Sequence, residues 1–166
     1  PATGNLAGVA APGNVNLAFT YDGGLLTSQA WSGAITGTTI YTYDNNLRWT
    51  ATDVNGSNPI ALQYDDDSLL TQTGALTLNR DLQNGLLTGS MLGSITDTWS
   101  YNGFGEPIDF TAGSLFSVQY ERDKLGRIVT KTETVSGATD VYVYAYDLAG
   151  RLSGVTKNGA ALSSYT

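Results

Sequence analysis

The sequence predicts an all-β chain of tandem β-hairpin repeats, joined into one long antiparallel, curled or spiralling sheet, a solenoid-like segment. Three observations predict it. A Tyr-Asp mark recurs at a nearly constant step. The residues before each mark alternate between apolar and polar. A second turn signal falls midway between marks. A fixed period of about twenty residues, each carrying two short alternating segments, is the signature of a hairpin array.

The mark comes first. It reads YDGGLL from Tyr21, YDNNLRW from Tyr43 and YDDDSLL from Tyr64. It continues as RDLQNGLL from Arg80, YNGFGEPI from Tyr101, RDKLGRI from Arg122 and YDLAGRL from Tyr146. The column Asp22, Asp44, Asp65, Asp81, Asn102, Asp123, Asp147 advances in steps of 22, 21, 16, 21, 21 and 24 residues. Gly4-Asn5-Leu6 matches Gly150-Arg151-Leu152, and Tyr165 falls where a further mark would begin. Residues 1–166 therefore read as a single array of about eight repeats, taken from a longer one.

The strands come next. Counting back by twos gives Tyr21-Phe19-Leu17, Tyr43-Tyr41, Tyr64-Leu62-Ile60, Tyr101-Trp99, Tyr120-Val118-Phe116 and Tyr146-Tyr144-Tyr142, with small or polar residues between. Side chains alternate across a strand, so one face is aromatic and the other wettable. Aromatic and aliphatic neighbours on adjacent strands form cross-strand pairs worth about 0.2–1 kcal/mol each.

Two kinds of turn join them. Pro12-Gly13-Asn14, Ser32-Gly33, Asn55-Gly56, Gly74, Gly93-Ser94, Ala112-Gly113, Ser136-Gly137 and Asn158-Gly159 are tight-turn signals. At the marks, an Asp in first position accepts backbone N–H groups while a Gly in fourth position, as in Asp147 and Gly150, supplies the required conformation. About sixteen strands in one meander exceed what a twisted open sheet tolerates, roughly 10 strands, so the sheet must bend with its Tyr/Leu face inward.

At these residues the sequence resembles the Rhs/YD-repeat family, whose unit runs roughly Y-D-x-x-G-R-L. The match is closest at YDLAGRL (146–152) and RDKLGRI (122–128). It thins where Glu106 and Leu86 replace Arg, where Leu25 and Ser68 fall near the Gly position, and where Arg80 replaces Tyr. The motif residues are Tyr21, Asp22, Tyr43, Asp44, Tyr64, Asp65, Asp81, Tyr101, Gly105, Asp123, Gly126, Arg127, Tyr146, Asp147, Gly150 and Arg151. The resemblance implies a structural shell. In Rhs toxins, the Tc toxin C-component and teneurins, such repeats wind into a hollow β shell that encloses a C-terminal toxic polypeptide in the bacterial members and belongs to a cell-adhesion receptor in teneurins. It implies as partners the remaining repeats of a parent chain and an enclosed polypeptide, and a secreted or cell-surface location. The self-cleaving core segment and polymorphic toxin of Rhs proteins have no counterpart in these residues.

Composition narrows the function. Fifteen acidic against eight basic residues give a net charge of −7, which disfavours nucleic acid and anionic lipid as partners. There is no Cys and no His, hence no disulfide or thiolate site, and no imidazole to activate a Ser nucleophile. Asp65-Asp66-Asp67 and the stretch from Asp53 to Asn58 look calcium-like, but they sit at turns and lack the distal Glu of an EF-hand. Gly103-Phe104-Gly105 lacks the third glycine and the following helix of a dinucleotide loop. Asn55-Gly56-Ser57 is a sequon that matters only in a eukaryotic secretory pathway. Asp123/Arg127 and Asp147/Arg151 are expected ion pairs bracing their loops, worth about 0–1 kcal/mol if exposed. No catalytic, metal-binding or cofactor-binding residue is assigned, and no cofactor.

Two other readings stand beside the shell. Exposed aromatics on hairpins bind sugars in some repeat modules of similar period, but Trp31, Trp49 and Trp99 share no phase here. Membrane β-barrels need strands of about 9–11 residues, longer than these. The outermost strands, near 5–10 and 160–166, are expected to offer unpaired backbone for self-association.

Overall fold

The structure is a computed structural model describing residues 4–165. It contains sixteen strands, no helix, and a single antiparallel sheet whose strand order is the chain order from β1 to β16, without closure. The strands group into two compact units, divided between Ala75 and Leu76.

Unit one holds β1 (Gly8–Ala11), β2 (Val15–Asp22), β3 (Leu25–Ser32), β4 (Gly37–Tyr43), β5 (Trp49–Val54), β6 (Ser57–Tyr64) and β7 (Leu70–Thr73). Register carries the face from strand to strand: Phe19 lies opposite Gln29, Gln29 opposite Thr39, Tyr41 opposite Thr52 and Thr52 opposite Ile60. Residues two apart share a face, so Tyr21, Tyr43 and Tyr64 all lie on the same side of this unit. Tyr41 meets the edge of Trp49, with ring centroids 5.9 Å apart. Trp31 lies over Gly37, where an added Cβ would collide with the indole.

Unit two holds β8 (Leu76–Arg80), β9 (Leu87–Leu92), β10 (Ile95–Tyr101), β11 (Pro107–Ala112), β12 (Phe116–Arg122), β13 (Ile128–Val135), β14 (Ala138–Tyr146), β15 (Leu152–Lys157) and β16 (Ala160–Ser164). Here the row Trp99, Phe110, Val118, Glu133, Asp140 crosses five strands in register. By parity, Tyr101, Tyr142, Tyr144 and Tyr146 share its face. Trp99, Phe110 and Phe116 cluster on it, with centroids 4.3 and 5.9 Å apart. Val118, at 5% exposure, is the one apolar side chain buried among the described residues. A single-layer sheet has no second layer to cover it, so backbone ladders and cross-strand pairs stand in for a packed core.

The tight turns fall at the predicted places. Asn55-Gly56 and Asn158-Gly159 have both residues at positive φ (56° and 69°; 51° and 81°), the geometry whose twist matches the flanking strands. Each Asn does more than turn the chain. The Asn55 N–H donates to the Thr38 carbonyl, and its Oδ1 accepts from the Thr38 N–H at 2.8 Å. Asn158 clasps Val141 in the same way. The outermost strands β1 and β16 are each paired on one side; Thr166, at the end of the predicted edge, lies outside the described residues.

Candidate functional site

The marker turns are the element that recurs, and five of the seven share one geometry. At Asp44, Asp65, Asn102, Asp123 and Asp147 the marker N–H donates to the carbonyl four residues on, and its own carbonyl accepts from the residue three on. The side chain completes the loop. Asp123 Oδ1 accepts from the N–H groups of Leu125 and Arg127, Asp44 Oδ1 from Asn46 and Arg48, Asp65 Oδ1 from Asp67 and Leu69. Asn102 Oδ1 accepts from Phe104 and Glu106, and Asp147 Oδ1 from Arg151. The carboxylate of the acidic Asp65 stretch is thus turned into its own loop. The fourth position takes positive φ in every case: Gly105, Gly126 and Gly150 at 77°, 77° and 81°, but Leu47 and Ser68 at 62° and 64°.

Two marks depart from this geometry. Asp22 is a strand residue paired with Leu25 across a two-residue Gly23-Gly24 turn, because two adjacent glycines permit a loop too short for the carboxylate to cap. At Asp81 the loop is one residue longer, and the N–H donates to Leu86.

The marker tyrosines reach backwards. Tyr146 Oη donates to the Ile128 carbonyl at 2.7 Å, Tyr101 to Leu87 at 2.8 Å, Tyr43 to Leu26 at 2.9 Å, Tyr64 to Trp49 at 2.7 Å and Tyr21 to Leu6 at 3.1 Å. The offset is constant. In each hairpin the last paired residues, such as Val143 with Thr130, lie three before the Tyr and two after the carbonyl. Ladder pairing ends there, apart from the bond from the Phe19 N–H to the Ala7 carbonyl, and the phenol ties a carbonyl past the last pair to the neighbouring strand. Arg122 occupies a Tyr position and does the same from its guanidinium, to Pro107 at 3.4 Å, while also donating to Gly126 of its own turn at 2.9 Å.

Arginine links one mark to the next. Arg48 and Arg127 donate to Asp44 and Asp123 at 2.8 Å and stack over the rings of Tyr64 and Tyr146, 5.0 and 4.5 Å from the centroids. Arg151 pairs with Asp147 but keeps a side chain 77% exposed. Asp44 is held below its ordinary pKa chiefly by the Arg48 backbone N–H, and Asp147 by that of Arg151. The Arg127 side chain is the main cause for Asp123.

One link is inverted. Glu106 stands at the Arg position and Arg122 at the following Tyr position; Arg122 Nε lies 3.8 Å from Glu106, and Asn102 Nδ2 donates to Glu106 at 2.7 Å. Anion and cation have exchanged places, and an amide replaces the carboxylate that would repel Glu106. The column positions of Asn102, Glu106 and Arg122 are visible in the sequence; their mutual contact is not.

A second cluster lies on the aromatic face of unit two. Tyr142 sits between the ammonium groups of Lys131 and Lys157, at 4.3 and 5.5 Å. Each lysine pairs with a carboxylate, Glu133 at 2.8 Å and Asp140 at 2.7 Å. These bonds raise the pKa of both lysines, and Lys157 lowers that of Asp140. Period-two alternation marks Tyr142; it carries no signal for the lysines, whose partners lie two residues along the same strand or on the adjacent one.

Solved structures similar to the chain include a TcdB2-TccC3-Cdc42 crystal structure, with a TM-score of 0.68 and 14% identity over 93% of this chain. TcdB2-TccC3 without its hypervariable C-terminal region gives 0.71 and 14% over 92%. A Photorhabdus luminescens Tc holotoxin pore gives 0.52 and 14% over 93%. The chain spans about a tenth of their length, 10%, 9% and 11% respectively. No curated protein matches the sequence. The family model described as Teneurin YD-shell matches residues 5–166, all but the first four residues. With its turns, its backward-reaching tyrosines and this match taken together, the chain belongs to the teneurin YD-shell family.

Proposed function

We propose that this run of repeats is a non-catalytic length of wall in a hollow β shell, curled with its tyrosine face inward, which encloses or displays another polypeptide such as a toxin. Its partners are then further repeats of the same parent chain and the enclosed segment, and its location is secreted or at a cell surface. The observation that carries this reading is the repeated link itself. Every marker turn except that at Asp22 is closed by its own Asp or Asn, and Tyr or Arg ties repeat to neighbouring strand at six of the seven marks, so the unit extends without needing a separate core.

The electrostatics agree with a scaffold. Asp44, Asp123 and Asp147 are held ionised by backbone and guanidinium donors, the opposite of what a general acid needs at neutral pH. The hydroxyls of the marker tyrosines are engaged within the sheet, which leaves them poorly placed to grip a sugar.

Limited proteolysis of the full-length chain that carries these repeats tests the proposal. An enclosed segment stays uncut in the native protein and becomes cleavable once denaturant opens the sheet. Immediate cleavage of every segment outside the repeats, with the repeats themselves resistant, overturns enclosure. A glycan-array signal abolished by Tyr144→Ala points instead to carbohydrate binding.

A further inference from the structure

The strand that follows each marker turn is one residue too long for its partner. In unit one, Thr20 and Tyr21 lie opposite Ser28 and Leu26, so Thr27 has no opposite residue; Thr50 and Thr71 are left over in the same way beside Tyr43 and Tyr64. In unit two the extra residues are Thr88, Ile108, Val129 and Ser153, beside Arg80, Tyr101, Arg122 and Tyr146. All seven marker hairpins carry this β-bulge. Among the described pairs closed by tight turns, five run without a break, and β5–β6 and β15–β16 are irregular.

Each bulge first decides which way a side chain faces. Ile128 and Thr130 are two apart and would share a face in an unbroken strand, yet Thr130 lies opposite Glu121 and Ile128 opposite Arg122, on the tyrosine side. The extra Val129 makes that change. The same shift sets Trp49 opposite Tyr43 and into edge contact with Tyr41. The bulge also marks where the ladder on the far side of its strand ends. Pairing with the next strand reaches Ser28, Ala51, Gly89, Asp109 and Thr130, each the residue just after a bulge. Past it, the next marker phenol spans to the carbonyl just before the bulge, at Leu26, Trp49, Leu87 and Ile128. Arg122 reaches Pro107 in the same place.

We infer that this single extra residue is the device that curves the sheet within each unit, and that the marker Tyr is the strut that fixes how far the strands open. A β-bulge bends its strand and adds to the local twist. Placed once per repeat, on the strand after the turn and at the same rim, the increments add instead of cancelling. Ladders zipped at the tight-turn rim and propped at the marker rim make each repeat a wedge. Six of the seven extra residues are β-branched, and two hydroxyls close the bulge onto the partner strand. Thr50 donates to the Thr42 carbonyl at 3.1 Å, and Thr27 meets the Thr20 hydroxyl at 2.9 Å. The device rests on the curl of the proposed wall and not on its contents, so enclosure and curvature fail separately.

Deletion of Val129 from the whole chain tests the inference. The pairs Glu121–Thr130 and Arg122–Ile128 then become consecutive and no side chain changes face, so the deleted chain is expected to fold with its circular dichroism unchanged. The ladder between β13 and β14 is expected to run past Thr130–Val143, slowing hydrogen exchange in residues 143–146. In the intact chain Tyr146→Phe is expected to speed that exchange about fivefold, the loss of one hydrogen bond. In the deleted chain, with no opening to span, it has no effect. The chain has no Cys, so spin labels can be placed through Gln83→Cys and Ala149→Cys at the marker rim, or Ser94→Cys and Ser136→Cys at the other. Deleting Ile108 and Val129 together is expected to draw the marker pair closer relative to the tight-turn pair. Exchange and a Tyr146→Phe effect that are the same with and without Val129 overturn the inference, as do label distances that do not respond. If the chain lacking Val129 does not fold, deletion of Thr50 with Tyr64→Phe repeats the test in unit one. Failure of both deletions to fold also overturns it, because every remaining pair is retained.

Discussion

Leu47 in unit one and Gly126 in unit two occupy the same place in the same turn, three residues after the marker Asp, at φ of 62° and 77°. The backbone geometry is equal and the cost is not. A Cβ in the left-handed region costs about 1–2 kcal/mol, and Leu47, 66% exposed, recovers little by packing. Ser68 carries the same burden in the next turn of unit one, while Gly105 and Gly150 relieve it in unit two. The units also differ in charge. Unit one has a single Arg to link its marks, whereas unit two threads its carboxylates with Arg and Lys. The comparison teaches that the marker turn is held by redundant bonds, so that the loss of the best residue in one place is tolerated while the others remain.

The sharpest way to break that redundancy is to remove a residue with several roles. Tyr146 donates to Ile128, carries Arg127 on its ring and fills the space where pairing stops. Tyr146→Ala is expected to destabilise unit two by about 3 kcal/mol, and Tyr146→Phe, which loses only the hydrogen bond, by about 1 kcal/mol. Tyr64 is the matched position in unit one, and its bond to Trp49 is exposed to water. Tyr64→Phe is therefore expected to cost less than Tyr146→Phe. Urea unfolding with site-resolved hydrogen exchange reads each unit separately; an equal loss in both removes the distinction.

The inverted link is next in size. Glu106→Arg and Arg122→Tyr are each expected to cost about 1–2 kcal/mol alone, since each leaves a like charge or an unpaired one. The double exchange is expected to recover at least half of the summed loss, by restoring the Arg-over-Tyr arrangement. A double-mutant cycle measures this, and additive losses dissolve the coupling.

Exchanging the fourth turn residue tests the comparison directly. Leu47→Gly is expected to stabilise unit one by about 0.5–1 kcal/mol, less than the strain relieved because glycine also loosens the unfolded chain. Gly126→Leu is expected to destabilise unit two by about 1–2 kcal/mol; its Cβ would lie 2.8 Å from Glu106 Oε1, the movable end of a side chain, so the backbone decides. Melting temperatures that move in the same direction for both variants contradict the account.

The smallest effect is the acid dependence. Asp123, Asp140 and Asp147 in unit two, and Asp44 in unit one, have folded pKa values below 3.8. The unfolded chain binds protons first as pH falls, so their contribution is present above that value and lost as pH drops through the folded ones. Denaturation midpoints are expected to decline below pH 4, more in unit two, and less in high salt because the groups are exposed to solvent. Lys131 and Lys157 act in the opposite range. Raised above 10.5, they stabilise at neutral pH and lose that contribution as pH climbs through their folded values.

Much of this was legible in the chain itself. Period, alternation and tight-turn signals give two strands per repeat, about sixteen in all, because strand and turn are local decisions made within a few residues. The motif positions were legible as columns. What column reading missed is instructive: Asp22 breaks the turn through its two following glycines, and Arg122 fills a tyrosine place by reaching the same carbonyl.

The sequence by itself determined that there are two strands per repeat and that one face of each is aromatic, since side-chain alternation and turn chemistry act over neighbouring residues. Only the tertiary structure decided where pairing stops and which carbonyl each marker Tyr or Arg122 reaches, that Arg122 meets Glu106, and that Lys157 meets Asp140. Those contacts join residues about fourteen to eighteen apart across adjacent strands, and their geometry depends on register, which no single repeat contains.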